Sequence, residues 1–340
     1  MKGLKWFDKL IYFLNALLAF ALLLSYILPY LPPKTFAILS VLSLGVPLLI
    51  MVNVIFLFYW LVKLKKQLLL SLLVLLVGYF FLGGLYKISS EEEVTSSDLS
   101  VMNYNVRLFN VYEWIPRKGV ENDIVSFIKD KSPDILSIQE YHPHKSIDLS
   151  FYKYKFENVS GQRVKYGQVI FSKHPIINSG SIEFPNTFNN AIYADVVKGK
   201  DTVRIYNLHL QSLGIDPNID HLKKEDSEKL FGHVGNTFKM QQSQAELFLK
   251  HKASCPYKMI VCGDFNNTAF SYVYRNIKGD LKDAFTEEGN GFGRTYNFKF
   301  FPIRIDFILN DQSIEVESFK TFDENYSDHY PIMARLKLGE

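Results

Sequence analysis

Charged residues are distributed unevenly along the chain, and this pattern separates an apolar N-terminal part from a mixed C-terminal part. Three N-terminal segments contain no Asp, Glu, Lys or Arg, at about residues 10–31, 36–62 and 67–86. Each holds about 20 or more mostly apolar residues, which at about 1.5 Å per residue is enough to cross a hydrocarbon core about 30 Å thick. The pattern therefore predicts a membrane anchor of three transmembrane helices within residues 1–88.

Soluble helices, a signal peptide and a transporter fit these three segments less well than an anchor does. Buried helices of a soluble domain normally carry a polar face, and these segments do not. A cleavable signal peptide needs a small-x-small cleavage site, and none precedes the charged region that follows the first segment. A transporter needs ionisable groups within its spans, and Asp, Glu, Lys and Arg are missing from them. We therefore interpret the first segment as a signal-anchor and the other two as further anchoring spans.

Lysines near the ends of the apolar segments predict the orientation of the anchor. Two clusters lie before the first span and between the second and third spans, and they comprise Lys2, Lys5, Lys9, Lys63, Lys65 and Lys66. The remaining loop offers only Lys34, and the third span is followed by Lys87 and three glutamates. Because cytoplasmic loops carry the excess of lysine, the N-terminus is predicted to be cytoplasmic. After three spans, the C-terminal domain would lie on the extracytoplasmic side.

Residues 89–98 (SSEEEVTSSD) are acidic and rich in serine, which is typical of a linker. From Leu99 onward the pattern changes to alternating strands and helices, and we predict a domain over residues 99–340. Predicted helices cover Val120–Asp130 and Gln241–Lys250, and predicted strands cover Leu99–Val106, Asp134–Gln139, Gly167–Ser172, Ala191–Val197, Val203–Leu210, Lys258–Cys262, Arg304–Leu309, Val316–Phe322 and Ile332–Leu336. About 240 residues of this kind can bury two sheets with helices outside. The polar stretch from Gln211 to Lys239 carries no clear pattern.

The charge of the C-terminal domain is close to neutral, since residues from Asp98 onward include 30 basic and 31 acidic side chains. Indiscriminate binding of nucleic acid needs clustered Lys and Arg, so the balance argues against it while leaving a local basic groove possible. The two cysteines, Cys255 and Cys262, flank a predicted strand that would separate their Cα atoms by roughly 20 Å. A disulfide needs less than about 7 Å, and we therefore predict two free thiols.

Eight polar residues lie at or just after the ends of predicted strands. They are Asn105, Glu140, His209, Asp264, Asn266, Asp306, Asp328 and His329. Ligands of α/β proteins bind where strand ends and their loops converge, so these side chains are expected to meet at one site. Acid, amide and imidazole groups are what a divalent-metal phosphoester site needs.

Six short motifs in this part of the chain occur in an order that resembles the endonuclease/exonuclease/phosphatase family. They are N-x-N-V (Asn103–Val106), I-Q-E (Ile138–Glu140), N-L-H-L (Asn207–Leu210), G-D-F-N (Gly263–Asn266), R-I-D-F-I-L (Arg304–Leu309) and S-D-H-Y-P (Ser327–Pro331). Each motif alone is weak, whereas six in order are specific, and the resemblance covers nearly all of Leu99–Leu338. It implies an α/β fold, a four-layer α/β sandwich of two packed mixed β-sheets flanked by helices. With the anchor, the expected architecture is this sandwich preceded by three transmembrane α-helices.

The resemblance also implies a metal site. Glu140 would hold Mg²⁺, with Mn²⁺ as a substitute, because a hard cation prefers carboxylate oxygens and retained waters. Asn105 resembles the family's amide beside the metal, either a ligand or a neighbouring group that orients one. Asp328 would complete a metal or water site.

Catalytic roles follow from the same resemblance. Asp264 would orient or deprotonate the attacking water, with Asn266 as its partner. His329, hydrogen-bonded to Asp306, would orient the nucleophile or stabilise charge on the phosphoryl oxygens. His209 resembles the second histidine, which contacts the phosphate or aids departure of the leaving group.

Three further features have competing interpretations. Arg304 would contact the substrate phosphate or form a structural ion pair. His142 and His144 resemble a metal pair, yet a Pro-containing loop favours a solvated or substrate-rim role. The aromatic and basic segment Phe292–Phe301 is suited to base stacking, lipid head groups or core packing.

We therefore expect a membrane-anchored, Mg²⁺-dependent phosphoester hydrolase. Its substrate would be a nucleic acid or a phospholipid or inositol phosphate, and no protein partner is predicted. The alternative is a catalytically inactive binding module of the same fold on a membrane anchor. Inactive members of the family usually lose a metal carboxylate or a catalytic histidine, and this sequence retains both kinds.

Overall fold

The computed structural model describes residues 4–82, 85–89, 98–162, 164–214, 227–299 and 301–339. Helices occupy the N-terminal part, and two β-sheets with further helices occupy the rest. The helices are α1 (Trp6–Ser25), α2 (Pro33–Val41), α3 (Val46–Val62), α4 (Leu68–Leu82), α5 (Val120–Lys131), α6 (Ser227–Lys252), α7 (Tyr272–Lys278) and α8 (Ala284–Glu288). The predicted linker at 89–98 lies mostly outside the described residues.

Within the described residues, two N-terminal stretches are long and apolar enough to cross a membrane. They are Trp6–Tyr30 and Pro33–Val62, and only 28% of each apolar window is buried inside the protein. Length and composition of this kind fit a membrane anchor or a signal sequence. The predicted third span is instead the 15-residue helix α4, about 22 Å long and short for a bilayer core. The expectation of three spanning helices is therefore corrected to two candidates.

Buried polar side chains join the N-terminal helices to one another. Asn15 of α1 donates a hydrogen bond to Ser71 Oγ of α4 (2.7 Å) and accepts one from Trp60 Nε1 of α3 (2.9 Å). Asn53 of α3 donates to the carbonyl oxygen of Leu18 in α1 at 3.3 Å. Buried polar groups need such partners, so these contacts fix the packing of α1, α3 and α4.

Two six-stranded mixed sheets form the C-terminal domain, as predicted. The first has the order β11-β12-β1-β2-β4-β3 and the second β5-β6-β7-β8-β10-β9. The strands are β1 (Leu99–Asn105), β2 (Ile135–Tyr141), β3 (Tyr154–Ser160), β4 (Tyr166–Ser172), β5 (Ile176–Glu183), β6 (Asn190–Lys198), β7 (Asp201–His209), β8 (Lys258–Asp264), β9 (Lys282–Asp283), β10 (Asp306–Asn310), β11 (Glu315–Thr321) and β12 (Ile332–Lys337). Each sheet contains one parallel pair, β1 with β2 and β7 with β8.

The main hydrophobic core lies between the two sheets. Alternate side chains such as Val101 and Ile135 of the first sheet pack against Ile205, Ile260 and Ile308 of the second. Helix α5 covers the outer face of the first sheet, and α6 with α7 covers that of the second. This arrangement confirms the predicted α/β sandwich.

The differences from the predicted elements occur where the sequence lacks apolar alternation. Strands β3 and β5 were not predicted because they lie at sheet edges and are polar and partly exposed. Helix α6 begins at Ser227, much earlier than the predicted helix over Gln241–Lys250. Cys255 and Cys262 are free thiols, as expected.

Strand register brings the predicted site residues together at one end of both sheets. On the second sheet, Asp264 at the end of β8 is paired with His209 at the end of β7 and with Asp306 at the start of β10. On the first sheet, Asn105 ends β1 and Glu140 lies near the end of β2. The packing of the two sheets therefore places all five side chains at a common edge.

Candidate active site

Asp264 lies at the centre of a buried polar cluster. Its side chain is 1% exposed, and Oδ2 accepts a hydrogen bond from Asn105 Nδ2 at 3.0 Å. The Nε2 atoms of His209 and His329 lie 3.8 and 3.7 Å from the same oxygen. One carboxylate thus contacts an amide and two imidazoles from both sheets.

The loop after β8 holds this carboxylate in place. The backbone N–H of Asn266 donates to Asp264 Oδ1 at 2.8 Å, and its side-chain amide donates to Asp264 Oδ2 at 3.1 Å and to the carbonyl of Leu210 at 3.0 Å. Gly263 has a φ of +155°, and a Cβ there would lie 2.1 Å from the carbonyl oxygen of Leu208. The G-D-F-N motif therefore combines a close backbone approach with an Asx turn.

Glu140 reaches the site because the strand that carries it is distorted. The register of β2 shifts between Ile138 and Tyr141, and Glu140 has a φ of 52°. Among the described residues, its side chain receives one hydrogen bond, 3.4 Å from Asn105 Nδ2. Burial raises the pKa of Glu140, with the charge of His329 opposing and that of Asp328 reinforcing the shift. The carboxylate therefore has unused acceptor capacity, as a cation ligand would.

His329 and Asp306 form a buried pair. His329 Nδ1 lies 2.9 Å from Asp306 Oδ2, and the hydroxyl of Thr295 accepts a hydrogen bond from the Asp306 N–H at 3.0 Å. Burial alone would lower the pKa of His329, but the carboxylates of Asp306 and Asp264 outweigh it and hold the pKa well above its usual value. His329 is therefore an imidazolium near neutral pH.

His209 has the opposite protonation state. Burial, followed by repulsion from His329, lowers the pKa of His209 to about 3. Burial also raises the pKa of Asp264, an effect that attraction to His329 partly offsets. One imidazolium, one neutral imidazole and one buried carboxylate are therefore held together, with both imidazole Nε2 atoms within 4 Å of Asp264 Oδ2.

Two groups of residues offer atoms for a metal ion. One atom each from Asp264, Asp306 and His329 lies within 4.8 Å of the others. Within this trio His329 Nδ1 already lies 2.9 Å from Asp306 Oδ2, which suits an imidazole–carboxylate pair. Glu140 and Asp328 offer carboxylate oxygens, and this donor set fits Mg²⁺. Asn105 donates through Nδ2 to Glu140 Oε1 and to Asp264 Oδ2, which suits an orienting amide.

Arg107 is a site residue that the sequence analysis did not single out. Its Nε lies 3.3 Å from Asp328 Oδ2, and its guanidinium stacks over the Trp114 ring at 4.5 Å. The tight turn Arg107–Asn110, in which every residue has a positive φ, presents it to the cluster. Its position directly after the N-x-N-V motif is the sequence signal that could have found it.

An open pocket of about 750 Å³ adjoins the cluster, and we call it the active-site pocket. Glu140 and His209 line it, and Trp114, Phe188 and Met240 contribute large apolar side chains. The cluster is therefore reachable from solvent on the side where Glu140 and His209 lie.

Arg304 is not brought into the cluster. Its Nη1 is 2.7 Å from Asp283 Oδ2 in a buried ion pair between the Phe285 and Phe307 rings. The substrate contact predicted for Arg304 is thus corrected to the structural alternative.

The His142 and His144 rings stack at 6.1 Å; His142 Nδ1 hydrogen-bonds with the carbonyl of Lys165, just before β4, and His144 Nδ1 with the hydroxyl of Ser146 in its own loop. This geometry agrees with a loop role rather than a metal pair. In the segment Phe292–Phe301, the Tyr296 ring packs edge-on against His329 at 5.1 Å. That segment therefore packs against the cluster through the contact of Tyr296 with His329.

Comparison with known proteins agrees with this geometry. A model of the Endonuclease/Exonuclease/phosphatase family matches residues 102–329, and a model of a Domain of unknown function (DUF8431) matches residues 8–85. A search of curated proteins found no match.

Solved structures share the fold. An endonuclease/exonuclease/phosphatase from Beutenbergia cavernae is 18% identical, with a TM-score of 0.55 over 72% of this chain and 72% of that one. A mannosyl-6-phosphatase from Bacteroides thetaiotaomicron is 17% identical, with a TM-score of 0.53 over 70% and 99%. D. rerio TDP2 complexed with a single strand DNA product is 16% identical, with a TM-score of 0.53 over 70% and 98%. At these identities the likeness shows the fold.

The buried ion pair of Arg304 predicts a large effect on stability. Replacing Arg304 by Met should lower the free energy of unfolding by about 3 to 5 kcal/mol, because Asp283 is left buried without its cation. The matched control Arg294→Met removes an exposed ion pair to Asp323 and should cost less than about 1 kcal/mol. Urea denaturation of the full chain in detergent, followed by circular dichroism, measures both, and equal effects would contradict the structural role of Arg304.

The pair of His329 and Asp306 predicts a measurable titration. In Asp306→Asn the pKa of His329 should fall, because a neutral amide no longer stabilises the imidazolium; NMR titration of the imidazole nitrogens measures it. The exposed Asp323→Asn serves as the control. The pKa of His329 is raised in the folded state. The contribution of this pair to the free energy of unfolding is therefore complete below about pH 6.5, and it is lost as the pH rises through the folded-state pKa of His329. An unchanged His329 titration in Asp306→Asn would refute the assignment.

Proposed function

The chain belongs to the Endonuclease/Exonuclease/phosphatase family, and from this membership we propose that it is a metal-dependent hydrolase of phosphoester bonds held at a membrane by its N-terminal helices. Members of the family are phosphoester hydrolases, nucleases and phosphatases, and typically depend on divalent metals. The single observation that carries the proposal is the contact of Asp264 with a neutral His209, which lines an open pocket, and with a protonated His329.

Asp264 is the group that activates water in this proposal. Burial makes its carboxylate a stronger base than an exposed one, and Asn105 and Asn266 fix its orientation by hydrogen bonds to Oδ2. A water placed beside it would transfer a proton to the carboxylate as its oxygen attacks phosphorus and the bond to the leaving oxygen breaks.

The two histidines serve the phosphoryl group. His329, kept protonated by Asp306, supplies positive charge and an Nε2–H donor toward the phosphoryl oxygens. His209 is neutral and lines the pocket, so it positions the phosphate or the leaving oxygen through one hydrogen bond. Preorganised donors of this kind stabilise charge that develops in the transition state.

Glu140 and Asp328 are proposed to hold Mg²⁺, with Mn²⁺ as a substitute, and Asn105 orients Glu140. The ion would supply Lewis-acid stabilisation of the phosphoryl and leaving oxygens. Arg107, paired with Asp328, limits the negative charge of this side of the site. The chain would therefore require both the acidic pair and the imidazolium for full activity.

The N-terminal helices support membrane attachment. The first apolar stretch contains α1 and the second contains α2 and α3, and Ser71 of α4 hydrogen-bonds to α1. The lysines within 63–66 follow the C-terminal end of α3, whereas the backbone of Lys87 pairs with Gly291 of the catalytic domain. A cytoplasmic N-terminus with an extracytoplasmic catalytic domain would require α4 to cross the membrane as a third span, so this orientation stays a prediction from the lysine pattern.

The structural neighbours span two kinds of substrate, since one is a mannosyl-6-phosphatase and another holds a single strand DNA product. The proposed activity therefore covers phosphomonoesters and phosphodiesters. An inactive binding module is the alternative, and it is disfavoured because the acidic, amide and imidazole groups that the reaction needs are present and lie together at one site.

Activity of the full chain in detergent toward bis(4-nitrophenyl) phosphate and 4-nitrophenyl phosphate tests the proposal. Hydrolysis should require Mg²⁺ and stop with EDTA. Glu140→Gln and His329→Ala should each lower kcat by about 10²–10³-fold, the usual loss for one preorganised electrostatic contact.

Matched controls are Glu183→Gln, an exposed acid at a sheet edge, and His144→Ala in its loop, both of which should retain activity. Wild-type hydrolysis that is insensitive to EDTA, or that survives in Glu140→Gln and His329→Ala, would reject the assigned site. A folded protein with no hydrolysis would favour the binding module.

A further inference from the structure

The N-terminal helices do not only precede the catalytic domain; one of them is docked on it. Helix α2 lies along α6, where the Lys34 N–H donates to Gln242 Oε1 at 2.8 Å and the Lys34 ammonium pairs with Glu246. Farther along, Val41 packs in one buried cluster with Val234 and Phe238 of α6. Polar and apolar contacts thus extend along the whole of α2.

The approach of the two helices is close because α6 carries a glycine at the contact. A Cβ on Gly235 would lie 3.3 Å from the Ala37 Cβ of α2, and this leaves no room for a larger side chain. Three residues earlier on α6, Gly232 has nothing within 4 Å. The two glycines therefore differ in whether they face the docked helix.

Helix α6 is also a wall of the active site. Gln241 is fully buried and donates to the carbonyl oxygens of Gln211 (2.7 Å) and Asn266 (3.2 Å), and Met240 lines the pocket. Leu213, next to the pocket residue Ser212, packs into the same cluster as Val41. The docked helix α2 is thus separated from the pocket by about one helix diameter, roughly 10 Å.

A second contact supports the same placement. Phe270, four residues after Asn266, packs among Ala19, Leu22 and Val74 of the N-terminal bundle. The Arg275 guanidinium stacks over the Tyr30 ring at 4.0 Å. The end of the bundle opposite the lysines within 63–66 is therefore held against the side of the domain that contains the catalytic loop.

Apolar side chains remain exposed on both sides of this contact. On α2 and its end, Ile38 is 69% and Leu42 48% exposed, and these side chains would face lipid once the bundle is inserted. At the pocket, Phe188 is 75%, Trp114 42% and Met240 37% exposed. A membrane surface at α2 would thus place a pocket with an apolar rim close to the lipid head groups.

From this juxtaposition, and resting on the proposed function, we infer that the substrate is a phosphoester in the head group of a lipid in the membrane that holds the protein. The pocket of about 750 Å³ has room for a head group, and its exposed apolar side chains suit the adjoining glycerol and acyl region. The near-neutral domain lacks the basic excess that a polyanionic strand would need.

The test uses the full chain reconstituted in phosphatidylcholine vesicles that contain phosphatidylglycerol, each lipid carrying a radiolabelled head group. Release of water-soluble label is measured with the labelled lipid in the protein's own vesicles and, separately, in protein-free vesicles added to unlabelled ones. We expect release at least ten-fold faster in the shared membrane. Bis(4-nitrophenyl) phosphate and a single-stranded DNA oligonucleotide report hydrolysis of soluble substrates.

Two glycine variants test the docking itself. Gly235→Leu should lower label release in the shared membrane at least ten-fold while hydrolysis of bis(4-nitrophenyl) phosphate stays within two-fold. Gly232→Leu makes the same change where space is open and should leave both rates within two-fold. Equal losses on both substrates in Gly235→Leu would overturn the inference, because the contact would then maintain the site and not its place at the membrane.

The remaining outcomes also decide the question. Equal release from shared and separate vesicles, or hydrolysis of the soluble substrates without any release of lipid label, overturns the lipid assignment and leaves the proposed function standing. If bis(4-nitrophenyl) phosphate, DNA and lipid are all left intact, the proposed function fails and this inference fails with it.

Discussion

The arrangement of this site depends on burying one carboxylate, that of Asp264, where two β-sheets meet. A buried charge is costly unless hydrogen bonds and opposite charge compensate it. Its own sheet supplies His209 and Asp306 as register partners, and the other sheet supplies Asn105, whose amide reaches Asp264 Oδ2 at 3.0 Å. The site therefore forms only when the two sheets pack, because the core between them brings the compensating groups to the carboxylate.

The protonation states of the two histidines follow from the same burial. Both lie near Asp264, yet only His329 also has Asp306, at 2.9 Å from Nδ1. With two carboxylates beside it, His329 keeps its proton, whereas burial, followed by repulsion from His329, lowers the pKa of His209 and keeps it neutral. A single extra carboxylate thus divides two similar side chains into a charged donor and a neutral one, a separation that acid–base chemistry exploits.

Sequence patterns predicted most of the strands, which depend on residues close together in the chain, and missed the side-chain contacts between residues that are far apart in the chain. The strands that end at Asn105, His209 and Asp264 were predictable because buried strands are continuous apolar runs bounded by polar residues. The role of Arg304 was ambiguous. Strand alternation places it on one face of the strand but does not reveal that its guanidinium pairs with Asp283, 21 residues earlier. Gln241 gave no signal, because a glutamine within a polar helix shows its importance only once the carbonyls that it binds are known.

The energetic cost of the buried ionic cluster bears on whether the protein is an enzyme or a binding module. Replacing a buried ionic cluster by apolar side chains of similar volume is often neutral or stabilising, so a module that only binds has no structural need for Asp264, His329 and Asp306 together. One oxygen of Asp306 is buried without a hydrogen-bond partner among the described residues, a further cost to the fold. Groups that weaken a fold and perturb one another's pKa are characteristic of sites that perform chemistry. The energetics of the cluster therefore favour catalysis independently of any likeness to other proteins.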